Sequence, residues 1–108
     1  MEPLDECITV QLASTLIDDP GVLFLDVRED DEVDYCSITG ALHIPMGEIG
    51  ERERQLPADK RIIAFCHHGM RSLHVTRYLR QRGFDKVQNM SGGIDAWSCQ
   101  IDPRVPRY

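Results

Sequence analysis

The chain has 108 residues, a net charge of −6 and 42% apolar residues. That length fits one domain spanning residues 1–108, and the apolar share excludes a disordered chain and supports a core that needs no disulfides. The acidic balance excludes nucleic acid as a partner, because no basic stripe runs through the sequence, and no stretch approaches the ~20 apolar residues that span a bilayer. Any attraction for an anionic substrate must therefore be local to a few residues around a site.

Met1–Val10 carries acids and no apolar run, so no signal peptide is expected and the cytoplasm is the expected location. Cys7–Thr9 reads as a short strand. Thr9 can cap a helix reaching Asp18, with Leu12, Thr15 and Leu16 on one face and Pro20-Gly21 as the stop. Gly21–Val27 contains the unbroken apolar run Val22-Leu23-Phe24-Leu25, which ends at Asp26. Glu29–Asp34 has the acidity that a helix first turn prefers. Leu42–Ile44 is a further short strand, and Glu48–Leu56 a third helix ended near Pro57.

Arg61–Cys66 contains Ile62-Ile63-Ala64-Phe65 and ends at Cys66. Runs without alternation suit strands covered on both faces. Ser72–Arg82 is the clearest helix: Ser72, Val75, Thr76 and Leu79 follow i, i+3, i+4, i+7, and Gly83 stands where a C-terminal glycine belongs. Lys86–Asn89 supplies a fifth strand, and Ile94–Cys99 a last helix after Gly92-Gly93. The tail from Ile101 to Tyr108 holds two prolines and is expected to run extended over the surface. Strand and helix thus alternate about five times, which predicts an α/β fold with a mostly parallel five-stranded sheet and helices on both faces. Sites in such sheets form beyond the carboxyl ends of strands, where Asp26 and Cys66 both stand.

The four cysteines lie far apart with no CxxC pair, so neither a disulfide framework nor a closed zinc site is expected. Cys7, Cys36 and Cys99 read as structural, with Cys36 the candidate for redox exchange with Cys66. Trp97 reads as core.

The segment Cys66-His67-His68-Gly69-Met70-Arg71-Ser72 lies between a buried strand and the best helix. A thiol at this turn faces the positive end of the helix dipole. Gly69 lets the backbone curl, and a curled run of N–H groups makes an anion-binding nest. Arg71 adds a fixed positive charge, and His67 and His68 add more when protonated. All of these favour thiolate over thiol, so the pKa of Cys66 should be depressed. A thiolate is the form that attacks sulfur, phosphorus or arsenic.

Four motifs together resemble a rhodanese domain over nearly the whole chain. They are Asp26-Val27-Arg28-Glu29, Gly40-Ala41-Leu42-His43-Ile44-Pro45, Cys66-x-x-Gly69-x-Arg71-Ser72 and Gly92-Gly93-Ile94-x-Ala96-Trp97. The resemblance implies a three-layer rhodanese-like fold and a thiosulfate sulfurtransferase-type enzyme. Cys66 would cycle between thiolate and persulfide, while His67, His68, Gly69, Met70, Arg71 and Ser72 cradle the transferred sulfur. It implies no metal or organic cofactor, a thiosulfate or persulfide donor, and a monomer. Sulfur-handling loops in this superfamily count six residues from cysteine to arginine, and the related phosphatases and arsenate reductases count seven. Cys66 to Arg71 counts six.

Asp26 is expected either to hydrogen-bond the loop backbone or to cap the helix from Glu29, and Arg28 either to line the mouth or to pair with a surface acid. Met70 is expected on the rim. Cys36-x-Ile38 before Gly40-Ala41 and the ending Ile101-Asp102-Pro103-x-Val105-Pro106-x-Tyr108 resemble a narrower group, and His43 replaces the usual asparagine. That group works beside ubiquitin-activating-like adenylyltransferases, which implies a ubiquitin-like sulfur-carrier protein or an adenylyltransferase as partner. Two alternatives stand beside this reading: a catalytically silent rhodanese-like binding module, and a cysteine-based phosphatase or arsenate reductase.

Overall fold

The computed structural model describes residues 4–108. Met1–Pro3, part of the segment read as lacking a signal peptide, lie outside the described residues. Five parallel strands form one sheet in the order β1-β5-β4-β2-β3. They are β1 (Cys7–Ile8), β2 (Val22–Asp26), β3 (Leu42–His43), β4 (Arg61–Phe65) and β5 (Val87–Met90). All five expected strands are present, and β2 and β4 pair at the centre from Val22↔Arg61 to Asp26↔Phe65. That register brings the carboxyl ends of both apolar runs to one edge of the sheet, with Cys66 immediately beyond it.

Alternation along the central strands divides the core in two. Phe24, Ile63 and Phe65 face one side, with Val10 and Ala13 of α1 (Val10–Ser14) and Ile94 and Trp97 of α5 (Gly93–Gln100). Leu25, Val27, Ile62 and Cys66 face the other, with Ile49 of α3 (Ile49–Arg52) and Val75 and Leu79 of α4 (Met70–Gln81). Helices thus cover both faces, as doubly buried strands require. Trp97 is core and meets Phe24 edge to face at 6.0 Å and 73°.

α4 matches its sequence pattern: Ser72, Val75, Thr76 and Leu79 are its buried residues. Its end is closed by Gly83 in the left-handed region, with Phe84 N–H donating to Leu79 O (3.1 Å) and Gly83 N–H to Arg80 O (3.3 Å). α2 (Asp30–Tyr35) starts with Glu29 N–H donating to the Glu32 carboxylate at 2.9 Å.

Two helices are shorter than expected. Thr9 does cap α1, accepting from Leu12 N–H at 3.2 Å, but the helix stops at Ser14. Ser14 and Thr15 hydroxyls donate back to the Gln11 and Leu12 carbonyls, and the chain continues in turns. Val10 and Ala13 face the core, leaving Leu12 61% exposed. The Glu48–Leu56 region becomes one α-turn flanked by 3₁₀ turns, because Gly47 and Gly50 weaken it and only Ile49 and Leu56 bury apolar area.

The tail departs most from expectation. It turns back on the fold instead of lying extended: Val105 is buried, Ser98 Oγ donates to Val105 O at 2.5 Å, and Tyr108 reaches Arg28 in the loop after β2, Glu32 of α2 and His67 of the Cys66 loop. Among the described residues no helix is long and apolar enough to cross a membrane.

Candidate active site

β4 delivers Cys66, only 1% exposed, to the carboxyl end of the sheet. Gly69 then takes φ +112, which reverses the chain into α4. Three donors converge on Cys66 Sγ as a result: Gly69 N–H at 3.1 Å, Ser72 N–H at 3.5 Å and Ser72 Oγ at 3.4 Å. Burial alone would push the thiol up. The Ser72 hydroxyl, with the N–H groups of Ser72, Gly69 and Arg71, outweighs burial and holds Cys66 below the ordinary thiol range.

The loop is pinned from behind by α5. Ile94 N–H donates to Cys66 O at 2.9 Å and Asp95 N–H to His67 O at 3.1 Å. Gly93, at φ +62, lies so close to these carbonyls that a Cβ there would overlap Cys66 O and His67 O.

The structure redistributes the charges expected around the sulfur. Arg71 does not aim its guanidinium at the thiol. It forks onto Glu32, with Nη1 to Oε2 at 2.7 Å and Nη2 to Oε1 at 2.8 Å, and this pairing raises its own pKa. Arg71 thus acts on Cys66 through its backbone N–H, while its side chain ties the first turn of α4 to α2. The Arg71 hydrogen bonds hold the Glu32 carboxyl well below the usual carboxylate range, at about 2.

Arg28 neither lines the mouth nor meets a surface acid. It is fully buried and pairs with Asp26, through Nη2 to Oδ2 at 2.7 Å and Nε to Oδ1 at 2.9 Å. Asp26 therefore serves neither the loop backbone nor the α2 cap, since its carboxylate is taken up by Arg28 and the Arg28 N–H. Arg28 also donates to the carbonyls of Glu32 (3.3 Å) and Cys36 (2.8 Å) and to Tyr108 Oη (3.0 Å). A His43 ring nitrogen lies 2.7 Å from Arg28 O.

His67 is half-buried, stacked between His68 and Tyr108 at ring distances of 3.9 Å on each side. His68 and Met70 stand exposed on the rim, Met70 at 69%. His67, His68 and Asp95 bring ligand-type atoms within 4.8 Å of one another, but Arg107 occupies both Asp95 oxygens at 3.0 and 3.4 Å. Cys36 is a free thiol in the core cluster on the opposite face of the sheet from Cys66.

Sequence reasoning missed Glu32, Tyr108 and Asn89. Glu32 was one acid among several in α2. Tyr108 was visible only as a terminal residue of the tail resemblance. Asn89, buried on β5, is hydrogen-bonded to Ser72, and nothing in its strand pattern marked it.

Residues 9–100 match the rhodanese-like domain family. The Bacillus subtilis protein YtwF is 39% identical over 101 residues, covering 94% of this chain and 97% of its own. A sulfurtransferase of Allochromatium vinosum is 35% identical over 95 residues, covering 88% and 89%. The crystal structure of a rhodanese-related protein from Thermoplasma volcanium is 30% identical and superposes with a TM-score of 0.84 over 96% of this chain and 100% of that one.

Proposed function

The chain belongs to the rhodanese-like domain family, and on that premise we propose that it is a sulfurtransferase whose working atom is Cys66 Sγ. The observation that carries this reading is the convergence of Gly69 N–H, Ser72 N–H and Ser72 Oγ on that sulfur. The Gly69 and Ser72 N–H groups are preformed donors that stabilise negative charge on a water-poor sulfur, and the Ser72 hydroxyl lies within reach to add a third hydrogen bond.

In the first half-reaction the Cys66 thiolate attacks the outer sulfur of a donor such as thiosulfate. The Cys66 S–S bond forms, the donor S–S bond breaks, and sulfite leaves with the electron pair. In the second, an acceptor thiolate or cyanide attacks the outer sulfur. Cys66 then departs as the thiolate that the loop stabilises. The exposed Met70 and His68 form the rim that an acceptor meets. No step calls for a metal or organic cofactor. A ubiquitin-like carrier or its adenylyltransferase remains the proposed protein partner, from the tail and Cys36 motifs.

The six-residue spacing from Cys66 to Arg71 and the commitment of Arg71 to Glu32 argue against oxyanion chemistry. A phosphate monoester needs a guanidinium for its oxygens, and this one is already forked onto a carboxylate. The 1% exposure of Cys66 favours one other reading, a binding module whose thiol is shielded.

Intact mass after incubation with thiosulfate separates the two. The wild type should gain one sulfur, lose it again to excess thiol, and gain none as Cys66→Ala. A wild-type protein that stays unloaded, or a variant that loads equally, defeats the sulfurtransferase reading.

A further inference from the structure

Ser72 carries one hydroxyl proton and faces two acceptors. Its Oγ lies 3.4 Å from Cys66 Sγ and 2.5 Å from Asn89 Oδ1. A hydroxyl donates a single hydrogen bond, so the proton goes to one or the other. Ser72 is fully buried and Asn89 is 4% exposed, so bulk water does not relieve the conflict.

With Oδ1 toward Ser72, the carboxamide takes the proton and turns the Ser72 lone pairs toward the sulfur. That arrangement suits a thiol, which can donate its S–H to Ser72 Oγ. It repels a thiolate. Turning the Asn89 carboxamide over exchanges two nearly isosteric atoms and leaves the packing unchanged. Nδ2–H then donates to Ser72 Oγ, and the Ser72 proton is free to point at Cys66 Sγ. The displaced Oδ1 comes to the place of Nδ2, 3.8 Å from Cys7 Sγ, whose S–H can donate to it. One chain of donors results, running from Cys7 through Asn89 and Ser72 to Cys66.

We propose that Asn89 is a positioning residue for the reactive sulfur: its carboxamide decides whether the Ser72 hydroxyl proton is directed at Cys66. The backbone supports this role, because Asn89 N–H donates to Glu6 O at 2.8 Å and fixes the strand while the carboxamide is left to turn. The titratable and charged groups around this chain include Cys7 at its outer end with the Arg77–Glu6 ion pair near it, His67 next to Cys66 in sequence, and Arg71, whose guanidinium is held by Glu32. None of them supplies a second proton to Ser72 Oγ.

The inference rests on Cys66 as the reactive sulfur but not on sulfur transfer, so it is tested without any sulfur donor. The rate of alkylation of the Cys66 peptide by iodoacetamide is followed against pH by mass spectrometry. Asn89→Leu, which neither donates nor accepts, should slow alkylation at pH 7 about 3-fold, through loss of an oriented hydrogen bond. Asn89→Asp, which only accepts, should slow it more, about 10-fold or greater, because it claims the Ser72 proton and adds a like charge. In a Ser72→Ala background the Asn89→Leu effect should vanish.

A merely structural Asn89 would lower the melting temperature and leave the alkylation midpoint in place. An unmoved midpoint, or an Asn89→Leu shift that persists without the Ser72 hydroxyl, overturns the proposal. Should Asn89→Leu not fold, the near-isosteric Asn89→Asp carries the test, and an Asn89→Asp midpoint equal to wild type overturns it. Failure of thiosulfate loading with this order of midpoints intact would count against the proposed function alone.

Discussion

The Tyr108 ring lies on the His67 ring at 3.9 Å and 8°, and its hydroxyl bridges Arg28 Nη1 at 3.0 Å and Glu32 Oε1 at 2.9 Å. Through Glu32 the bridge continues to Arg71 in the first turn of α4. The tail thus closes a polar circuit around the Cys66 loop. Burial and the Glu32 contact push the Tyr108 phenol up to about 12, so the hydroxyl stays protonated across the physiological range and donates to Glu32.

Tyr108→Phe keeps the stacked ring and removes both hydrogen bonds, leaving buried Arg28 short of an acceptor. Urea unfolding should show a loss of about 1–2 kcal/mol. Tyr108→Ala should cost more, since the stacking also goes. A Phe variant as stable as wild type would mean that the bridge contributes nothing.

Glu32 makes stability depend on acid in a defined window. Its folded pKa is depressed, to about 2, so its contribution is present above the ordinary carboxylate range and is lost as pH falls toward 2. Its side chain is 17% exposed, so solvent screens the pair only in part. Between pH 5 and pH 2.5 the wild type should lose on the order of 2 kcal/mol more than Glu32→Gln. Parallel pH curves for the two proteins would refute this.

Arg28 and Asp26 form a fully buried pair. Arg28→Met strands the Asp26 carboxylate and should cost about 3–5 kcal/mol. Adding Asp26→Asn removes the stranded charge, so the double variant should be more stable than Arg28→Met alone. Additive losses in a double-mutant cycle would show that the two residues act independently.

Cys66 should alkylate with a midpoint below that of an ordinary thiol, the rate rising with pH as thiolate forms. Ser72→Ala removes the hydroxyl donor and should move the midpoint upward. Arg71→Ala should move it less, because that guanidinium is occupied by Glu32 and its backbone N–H survives the substitution. Alkylation profiles in the reverse order would show that the Arg71 charge, not the Ser72 donor, governs the sulfur.

Gly93→Ala tests the seat of the loop. A methyl group at φ +62 would overlap the Cys66 and His67 carbonyls. The expected loss is on the order of 3 kcal/mol in thermal or urea unfolding. A stable Gly93→Ala protein would require the loop to have moved, and its Cys66 alkylation midpoint should then rise.

What was legible in the sequence were the features that local pattern dictates. Two unbroken apolar runs named β2 and β4, because a strand buried on both faces has no polar side to show. The 3.6-residue spacing from Ser72 to Leu79 named α4, and Gly83 its end. Cys66 at a strand end before Gly69 marked the loop, because backbone donors and a thiol converge there whatever surrounds them. The short α1 and α3 were drawn too long, since helices of one or two turns take their limits from the surfaces they cover and not from propensity.

The partners of charges and amides were settled only in three dimensions. Asp26 and Arg28 are two residues apart and read as mouth or cap, yet burial forces them onto each other, since a charge removed from water must find its counterion. Arg71 looked like a charge aimed at sulfur until α2 brought Glu32 within 2.7 Å of it. Tyr108 and Arg28 stand 80 residues apart in sequence and 3.0 Å apart in space. Local spacing fixes which atoms a turn can present. Which of them remain free to meet a substrate depends on the partners that the folded layers bring against them.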